Sequence, residues 1–293
     1  MSDGLVVVDK PPGMTSHDVV GRCRRIFAQR RVGHAGTLDP DATGVLVVAL
    51  GRATRLMRFM AGLGKCYTTE VVLGEATSTL DASGDPTATW DMSGVSVEQA
   101  VGAARALTGQ ILQVPPMVSA IKVGGRRLYE LAREGVEVER AARPVTIDRF
   151  DVSLGGQGPH GPVLQAHICC STGTYIRVLA DDLGRLLGGG AHVRNLRRTS
   201  VGPWGLDVAV PLEEVDSDAV LGMPDVLPWL EAVHVDAEVE RKVRSGRRVS
   251  LEDLGVKGVG PWCLLGKGGS LLAVYLPGGA DDAVAGVVVE AAG

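Results

Sequence analysis

The order in which strand and helix patterns follow one another constrains the fold of this chain most strongly. Short apolar runs typical of strands occur at residues 4–9, 45–50, 67–73, 145–154 and 163–170. Helical spacing predicts helices over residues 15–27, 96–107 and 176–187, the second of them capped by Ser96. Because strands and helices mix without regular βαβ alternation, the pattern favours an α+β fold over a doubly wound sheet.

The last third of the chain has a different sequence pattern. With 293 residues there is room for one large domain and a small one. Beyond Val201, prolines punctuate a stretch of low periodicity, and short strand-like runs then alternate with glycine clusters. We therefore expect a large domain over residues 1–229 and a small, mostly β domain over residues 230–293.

Membrane, metal and cofactor signals are weak in this sequence. No apolar run approaches the roughly 20 residues that span a bilayer, and the first residues do not read as a secretory signal, so we expect a cytoplasmic location. The histidines show no metal-ligand spacing, and neither a Walker loop nor a GxGxxG motif occurs, so we expect no metal and no cofactor. The cysteines are an odd set of five without CxxC spacing, which predicts reduced core or surface thiols and no disulfide frame: Cys23, Cys66, Cys169, Cys170 and Cys263.

Basic residues are distributed unevenly. The formal net charge is −4, which taken alone argues against a nucleic-acid partner, yet Lys and Arg outnumber Asp and Glu over residues 1–65. Arginine clusters occur near residues 22–31, 52–58, 194–198 and 241–248. Arginine suits phosphate through its planar fork, although a GC-rich genome would give the same bias. Charge therefore leaves nucleic-acid binding open.

The segment from Gly33 to Gly44 carries the most chemical information. It is an irregular loop between two well-formed elements, which is where functional residues tend to lie. Pro40 disfavours a helical backbone at Asp39, so we expect the Asp39 carboxylate to project from an extended loop. The residues alone favour a simple turn-former at Asp39, because Asp-Pro is a common loop dipeptide.

Several segments, in order along the chain, resemble the motifs of the TruB family of tRNA pseudouridine synthases. The loop is similar to the family's GHxGxLDPxATGxL pattern, and it continues into a GxATR/K element at residues 51–55. Further matches are DKPPGMTS at 9–16, KCY at 65–67, QVPPMVSAIK at 113–122 with Gly125, Leu128 and Tyr129, GTYIR at 173–177, and LRRT at 196–199 with Val201-Gly202. The resemblance covers roughly residues 4–202. Val118 departs from it, because the family more often has an aromatic residue there; we expect altered packing near the loop and the same reaction class.

The resemblance implies a fold and an activity. The fold is a pseudouridine-synthase catalytic domain, built on a mixed, largely antiparallel sheet with flanking helices and followed by a PUA-like RNA-binding domain. The activity is isomerisation of uridine 55 in the T-loop of tRNA, by base flipping, without guide RNA or cofactor. We expect tRNA as the partner, through its T-arm stem-loop, and a monomer with no obligate protein partner.

Roles for individual residues also follow from the resemblance. Asp39 is implied to be the catalytic carboxylate, Arg177 its counter-ion, and Tyr67 the aromatic that stacks on the flipped uracil. Five further residues are implied to contact the substrate: His34, Lys65, Tyr175, Leu196 and Arg197. His34 would occupy the space that the flipped base leaves, and Leu196 would line the pocket wall.

Alternatives remain for these roles and for the chain as a whole. Arg177 could form a structural ion pair, Tyr67 could be a cross-strand core aromatic, and the arginines near residue 244 could lie on a solvated helix face. The chain could also be a non-catalytic RNA-binding protein or tRNA chaperone. A glycosidase would need a second carboxylate about 5–9.5 Å from Asp39, and Asp41 is the neighbour in sequence.

Overall fold

The computed structural model of the protein describes residues 2–119, 122–279 and 281–290. The chain divides into two compact units. Unit 1 consists of Met1–Pro40, Val45–Ala61 and Pro203–Gly293, and unit 2 of Asp41–Gly44 and Gly62–Gly202. Within the part of the chain that the structure describes, no helix is long and apolar enough to cross a membrane.

The elements follow one another in mixed order. The helices are α1 (Ser16–Ile26), α2 (Val97–Ala106), α3 (Leu128–Arg133), α4 (Ile176–Leu186), α5 (Ala237–Arg244) and α6 (Leu251–Leu254), with 3₁₀ turns at Gly51–Phe59, Leu212–Glu214 and Met223–Asp225. The strands are β1 (Gly4–Lys10), β2 (Val32–His34), β3 (Thr43–Leu50), β4 (Lys65–Leu73), β5 (Glu75–Thr77), β6 (Pro86–Thr89), β7 (Gly109–Gln113), β8 (Lys122–Val123), β9 (Arg126–Arg127), β10 (Arg143–Gln157), β11 (Pro162–Cys170), β12 (Ala191–Val201), β13 (Trp204–Gly205), β14 (Val210–Pro211), β15 (Glu231–His234), β16 (Val249–Ser250), β17 (Trp262–Leu265), β18 (Leu271–Pro277) and β19 (Asp282–Val288).

In unit 1, helix α1 packs near the strands that carry the Gly33–Gly44 loop. Strand β1 lies between β14 and β3, and β2 pairs antiparallel with β3. Helix α1, predicted over residues 15–27, begins with a capping box in which Thr15 and Asp18 satisfy each other's backbone N–H groups. Its apolar side packs into a core of buried residues from these elements and from the 3₁₀ turn that follows β14: Val6, Val8, Val19, Val20, Cys23, Val32, Leu46, Val48, Leu50, Leu212 and Val215.

The C-terminal part of unit 1 is rich in β structure, as predicted. Its five strands lie in the order β15-β17-β18-β19-β16, and all pair antiparallel except β15 with β17. Buried Trp262 and Tyr275 lie in its core, and the Tyr275 hydroxyl donates to the carbonyl of Arg247 at 2.7 Å. The arginines near residue 244 lie on and after α5, where Arg244 pairs with Glu240 and Glu290. The boundary near residue 230 stays a prediction.

Unit 2 is built on a largely antiparallel sheet, with α2 and α4 as its longer helices. Its strands lie in the order β12-β4-β11-β10-β7, and each neighbouring pair is antiparallel. The first residues of β3, Thr43 and Gly44, add a short parallel pairing with β12. Helix α2 is capped by Ser96, as predicted, and α4 presents a long buried face. The α+β prediction is therefore confirmed, with a mixed sheet.

One cysteine prediction is wrong. Cys66 on β4 and Cys169 on β11 form a disulfide, although the spacing of cysteines along the chain indicated thiols. The two residues are direct cross-strand partners with Cα atoms 4.1 Å apart, a proximity that sheet register creates and linear spacing does not reveal. Cys23, Cys170 and Cys263 are buried free thiols, and burial raises the pKa of each to about 11.

Candidate active site

The Asp39 loop is anchored just before the carboxylate. Leu38 is buried, and both of its main-chain polar groups contact the hydroxyl of Ser16, the first residue of α1. The Ser16 Oγ accepts from the Leu38 N–H at 2.8 Å and donates to the Leu38 carbonyl at 3.2 Å. The DKPPGMTS segment therefore holds the peptide that leads into Asp39.

A buried lysine anchors the loop just after the carboxylate. Lys10 is fully buried, and its ammonium donates to the carbonyl of Pro40 at 2.8 Å. The same ammonium donates to the carbonyls of Pro11 at 2.9 Å and Met14 at 2.7 Å, which ties the β1–α1 turn to the loop. Asp39 itself is half-buried between these two anchored residues.

His34 lies on the same unit as Asp39, at the end of β2. It is half-exposed and pairs across the ladder with Val48 of β3. The next residue, Ala35, donates its N–H to the carbonyl of Val47 at 2.9 Å, after which the chain leaves the ladder. Gly36 then has a φ of +102°, which favours glycine and begins the irregular path toward Asp39.

In unit 2, β4 presents Lys65 and Tyr67 on one face. Both side chains are buried, whereas Cys66 between them points to the other face, because strand side chains alternate. The Lys65 amine donates to the carbonyl of Leu63 at 3.1 Å and to the Thr172 hydroxyl at 3.2 Å. Burial first, and the positive charge of Arg198 second, lower the pKa of the Lys65 amine.

Arg177 is held in the first turn of α4. Its side chain is 4% exposed, and its guanidinium donates to the carbonyls of Thr79 at 2.8 Å and Val118 at 3.0 Å. An Oδ2 of Asp81 lies 3.6 Å from the same guanidinium. Val118 accepts through its main-chain carbonyl, so the replacement of the family's more common aromatic side chain by valine does not remove this hydrogen bond. Asp81, which lies in none of the family motifs, is an acidic neighbour of Arg177.

The backbone of Tyr175 is held by a buried amide. Gln113, at the end of β7, accepts from the Tyr175 N–H at 2.8 Å and donates to the Tyr175 carbonyl at 3.1 Å. Gln113 is 2% exposed, so both contacts form out of water, where an unpaired polar group is costly. This contact orients the chain at the start of α4, two residues before Arg177.

Strand β12 bulges next to the other predicted substrate residues. The register shifts between Arg194 and Arg197, and Asn195 has a φ of +55°, so the half-exposed Leu196 leaves the regular ladder. The Arg197 guanidinium lies 3.3 Å from the Thr43 hydroxyl. A Cβ at Gly44 would lie 2.1 Å from the carbonyl oxygen of Arg198, so only glycine permits this approach.

The predicted residues are therefore placed as two groups. His34 and Asp39 belong to unit 1, and the other predicted residues belong to unit 2: Lys65, Tyr67, Tyr175, Arg177, Leu196 and Arg197. Sequence reasoning missed the roles of Lys10, Ser16, Gln113 and Asp81. Lys10 and Ser16 lie in the DKPPGMTS motif and Gln113 begins the QVPPMVSAIK motif, so these two motifs were the available signals. Among the described residues, no cluster of His, Cys, Asp or Glu is arranged to hold a metal ion.

The fold and these residues define a class of protein. Over 98% of this chain and 85% of the other, the structure superposes on a chain of a Cbf5-Nop10-Gar1 complex with a TM-score of 0.74 and 25% identity. A chain of an archaeal box H/ACA sRNP Nop10-Cbf5 complex gives a TM-score of 0.71 over 98% of this chain and 86% of that chain, at 23% identity. The architecture is that of a pseudouridine synthase.

Sequence comparison then specifies the family. Residues 24–176 match the N-terminal domain of TruB family pseudouridylate synthases, and residues 177–223 match the C-terminal domain of tRNA pseudouridylate synthase B. The chain is 49% identical to tRNA pseudouridine synthase B of Mycobacterium sp. strain KMS, over 94% of this chain and 92% of that protein. It is 53% identical to the protein of the same name in Arthrobacter sp. strain FB24, over 73% and 71%. The chain belongs to the TruB family.

Proposed function

We propose that this protein isomerises uridine 55 in the T-loop of tRNA to pseudouridine, using the Asp39 carboxylate and neither guide RNA nor cofactor. Relatives named tRNA pseudouridine synthase B, matched over most of both chains, support tRNA as the substrate. The observation that carries the assignment of Asp39 is its position between two anchored peptides, Leu38 held by Ser16 and Pro40 held by Lys10. A carboxylate kept in one geometry suits chemistry on a bound nucleoside.

In the proposed reaction the Asp39 carboxylate acts on the target nucleoside so that the glycosidic bond breaks. The uracil then rotates and rejoins the ribose through carbon, and no atoms are gained or lost. Attack on C6, attack on C1′ and formation of a glycal all require the ionised carboxylate. Arg177 supplies a positive charge that favours this ionised form when the flipped base excludes water.

The remaining proposed roles concern the RNA. Tyr67 stacks on the flipped uracil, a contact worth about 1–3 kcal/mol per base. His34 fills the space left in the loop, which offsets part of the cost of unstacking. Four residues contact the substrate or shape its pocket: Tyr175, Leu196, Lys65 and Arg197. The C-terminal β domain also contacts the tRNA. The protein acts as a monomer without a protein partner.

The first experiment removes the carboxylate. Asp39→Ala should abolish pseudouridine formation in a tRNA transcript, read by carbodiimide labelling, while RNA affinity stays within about a few-fold because phosphate contacts supply most of it. Asp41→Ala is the matched control, since Asp41 is an exposed carboxylate two residues away. Turnover well above background in Asp39→Ala would refute the role of Asp39. Loss in Asp41→Ala as well would favour a two-carboxylate mechanism.

A second experiment tests the substrate. An isolated T-arm stem-loop should react at the uridine corresponding to position 55, because proteins read RNA mainly through the shape of loops and their splayed bases. If only full-length tRNA reacts, contacts outside the T-arm are required. If an unstructured oligonucleotide of the same sequence reacts equally well, recognition of loop shape is wrong.

A third experiment tests Arg177. In Arg177→Ala the acid limb of the single-turnover pH profile should move to higher pH, because removing a nearby cation favours the protonated carboxyl. Arg177→Lys keeps the charge without the planar fork, so it should show a smaller shift. A rate depressed equally at every pH would mean that Arg177 only positions other groups, and unchanged turnover would refute its role.

A further inference from the structure

The Ser16 hydroxyl makes an unusual pair of contacts for a residue at a helix start. The helix cap is supplied by Thr15, so Ser16 is available for another purpose. Its side chain is 2% exposed and contacts both the N–H and the carbonyl of Leu38, 22 residues along the chain. A single hydroxyl can do this because it is a donor and an acceptor at one atom.

These contacts restrict the peptide that precedes Asp39. The Leu38 carbonyl belongs to the same planar peptide group as the Asp39 N–H, so holding that oxygen sets the orientation of the plane. The Leu38 side chain is 4% exposed, which anchors the residue on its other side. The carbonyl of Pro40, the residue after Asp39, is held independently by Lys10.

We propose that Ser16 is a positioning residue, which aims the Asp39 carboxylate by holding Leu38. This inference rests on the proposed function, because it assigns the purpose of the contact to the reaction at Asp39. The Ser16 hydroxyl contacts the loop through the backbone of Leu38. Its removal leaves both polar groups of Leu38 buried without this partner, and the loop can relax only by moving the residue next to Asp39.

The distinguishing prediction is a loss of rate without a loss of binding. In Ser16→Ala we expect the single-turnover rate constant to fall by about tenfold to a hundredfold, since a displacement of about 1 Å at a reacting group can cost that much. RNA affinity should stay within about threefold, because the phosphate contacts remain. The rate should fall by the same factor across the pH profile, because Ser16 does not change charge. The exchange of the Leu38 amide with solvent should also accelerate.

A matched variant separates positioning from simple destabilisation of α1. Thr15→Ala removes the capping box of the same helix, one residue away, and leaves the contact to Leu38 in place. We expect Thr15→Ala to lower the melting temperature about as much as Ser16→Ala, yet to keep its rate constant within about twofold of wild type at 25 °C.

The experiment measures the wild type, Ser16→Ala, Thr15→Ala and Asp39→Asn side by side on a T-arm stem-loop RNA. The inference about Ser16 is overturned by a Ser16→Ala rate within about twofold of wild type, or by an equal loss of rate in Thr15→Ala. In either case an inactive Asp39→Asn leaves the proposed function unaffected. An inactive wild type or an active Asp39→Asn contradicts the proposed function itself, and the inference falls with it.

Discussion

Lys10 offers a sharp test of how the loop is held, because its fully buried ammonium contacts three carbonyl oxygens. Lys10→Met keeps most of the volume of the side chain but removes these bonds. A carbonyl left without its partner at a buried site costs about 1–3 kcal/mol, so the three carbonyls together cost about 3–9 kcal/mol. Burial of the apolar methionine side chain offsets about 1.5–3 kcal/mol of this cost. We therefore expect a net loss of about 2–4 kcal/mol in the free energy of unfolding.

The expected loss corresponds to a melting temperature lower by about 5–15 °C, at about 2–4 °C per kcal/mol for a domain of this size. Thermal unfolding should be followed together with hydrogen–deuterium exchange of the peptide that spans residues 36–44. Lys267→Met, at an exposed lysine, is the control and should melt like the wild type. A Lys10→Met protein that melts within about 2 °C of wild type, with unchanged exchange in this peptide, would refute the reasoning.

Three other predictions concern unit 2. Gln113→Leu should lower the single-turnover rate about tenfold, because the Tyr175 backbone ahead of α4 loses both hydrogen bonds to Gln113. Gln110→Leu, at an exposed site of the same strand, should keep the wild-type rate, and equal losses in the two variants would contradict a positioning role for Gln113. Cys66→Ser or reduction of the disulfide should lower the melting temperature, because the bond to Cys169 spans 103 residues. In the chain-entropy model, closing a loop of this length stabilises the fold by up to about 4–5 kcal/mol. Identical melting of the oxidised and reduced protein would contradict this stabilisation. The hydrogen bond from Arg194 is the main reason why the pKa of Glu70 lies below 4.5, so ionised Glu70 stabilises the fold above pH 4.5 and loses this effect as the pH falls through the lowered pKa. Glu70→Gln should therefore melt about 1–3 °C lower than wild type at pH 7 and at the same temperature near pH 3. A melting difference that does not change with pH would argue against this linkage.

The elements that depend on local sequence were predicted well. Thr15 with Asp18 and Ser96 with Gln99 form the capping boxes that begin α1 and α2, because the partners are three residues apart and the geometry is local. The strands predicted from apolar runs at 45–50 and 67–73 are found for the same reason, each beginning two residues earlier, at Thr43 and Lys65. The strand predicted over residues 145–154 ends before Gly155, yet β10 continues to Gln157, because pairing with β11 overrides the weak strand preference of glycine.

Contacts between distant parts of the chain could not be predicted from local patterns. The disulfide joins Cys66 and Cys169 through sheet register, and Gln113 contacts Tyr175 across 62 residues. The family motifs identified candidate residues such as Asp39, and the structure adds the residues that hold the backbone around it. A family motif shows which side chains belong to the site. The hydrogen-bond partner of a main-chain carbonyl depends instead on how the chain folds in three dimensions.

The anchors of the Asp39 loop also differ in when they can form during synthesis. Lys10 reaches Pro40 across 30 residues and Ser16 reaches Leu38 across 22, so both contacts lie within the first forty residues. By contrast, Arg177 meets Thr79 across 98 residues. Contacts between nearby residues close faster than distant ones, and chains emerge from the ribosome with their N-terminus first. The backbone around Asp39 can thus be shaped while the strands of unit 2 are still being made, and the environment of Arg177 must be completed afterwards.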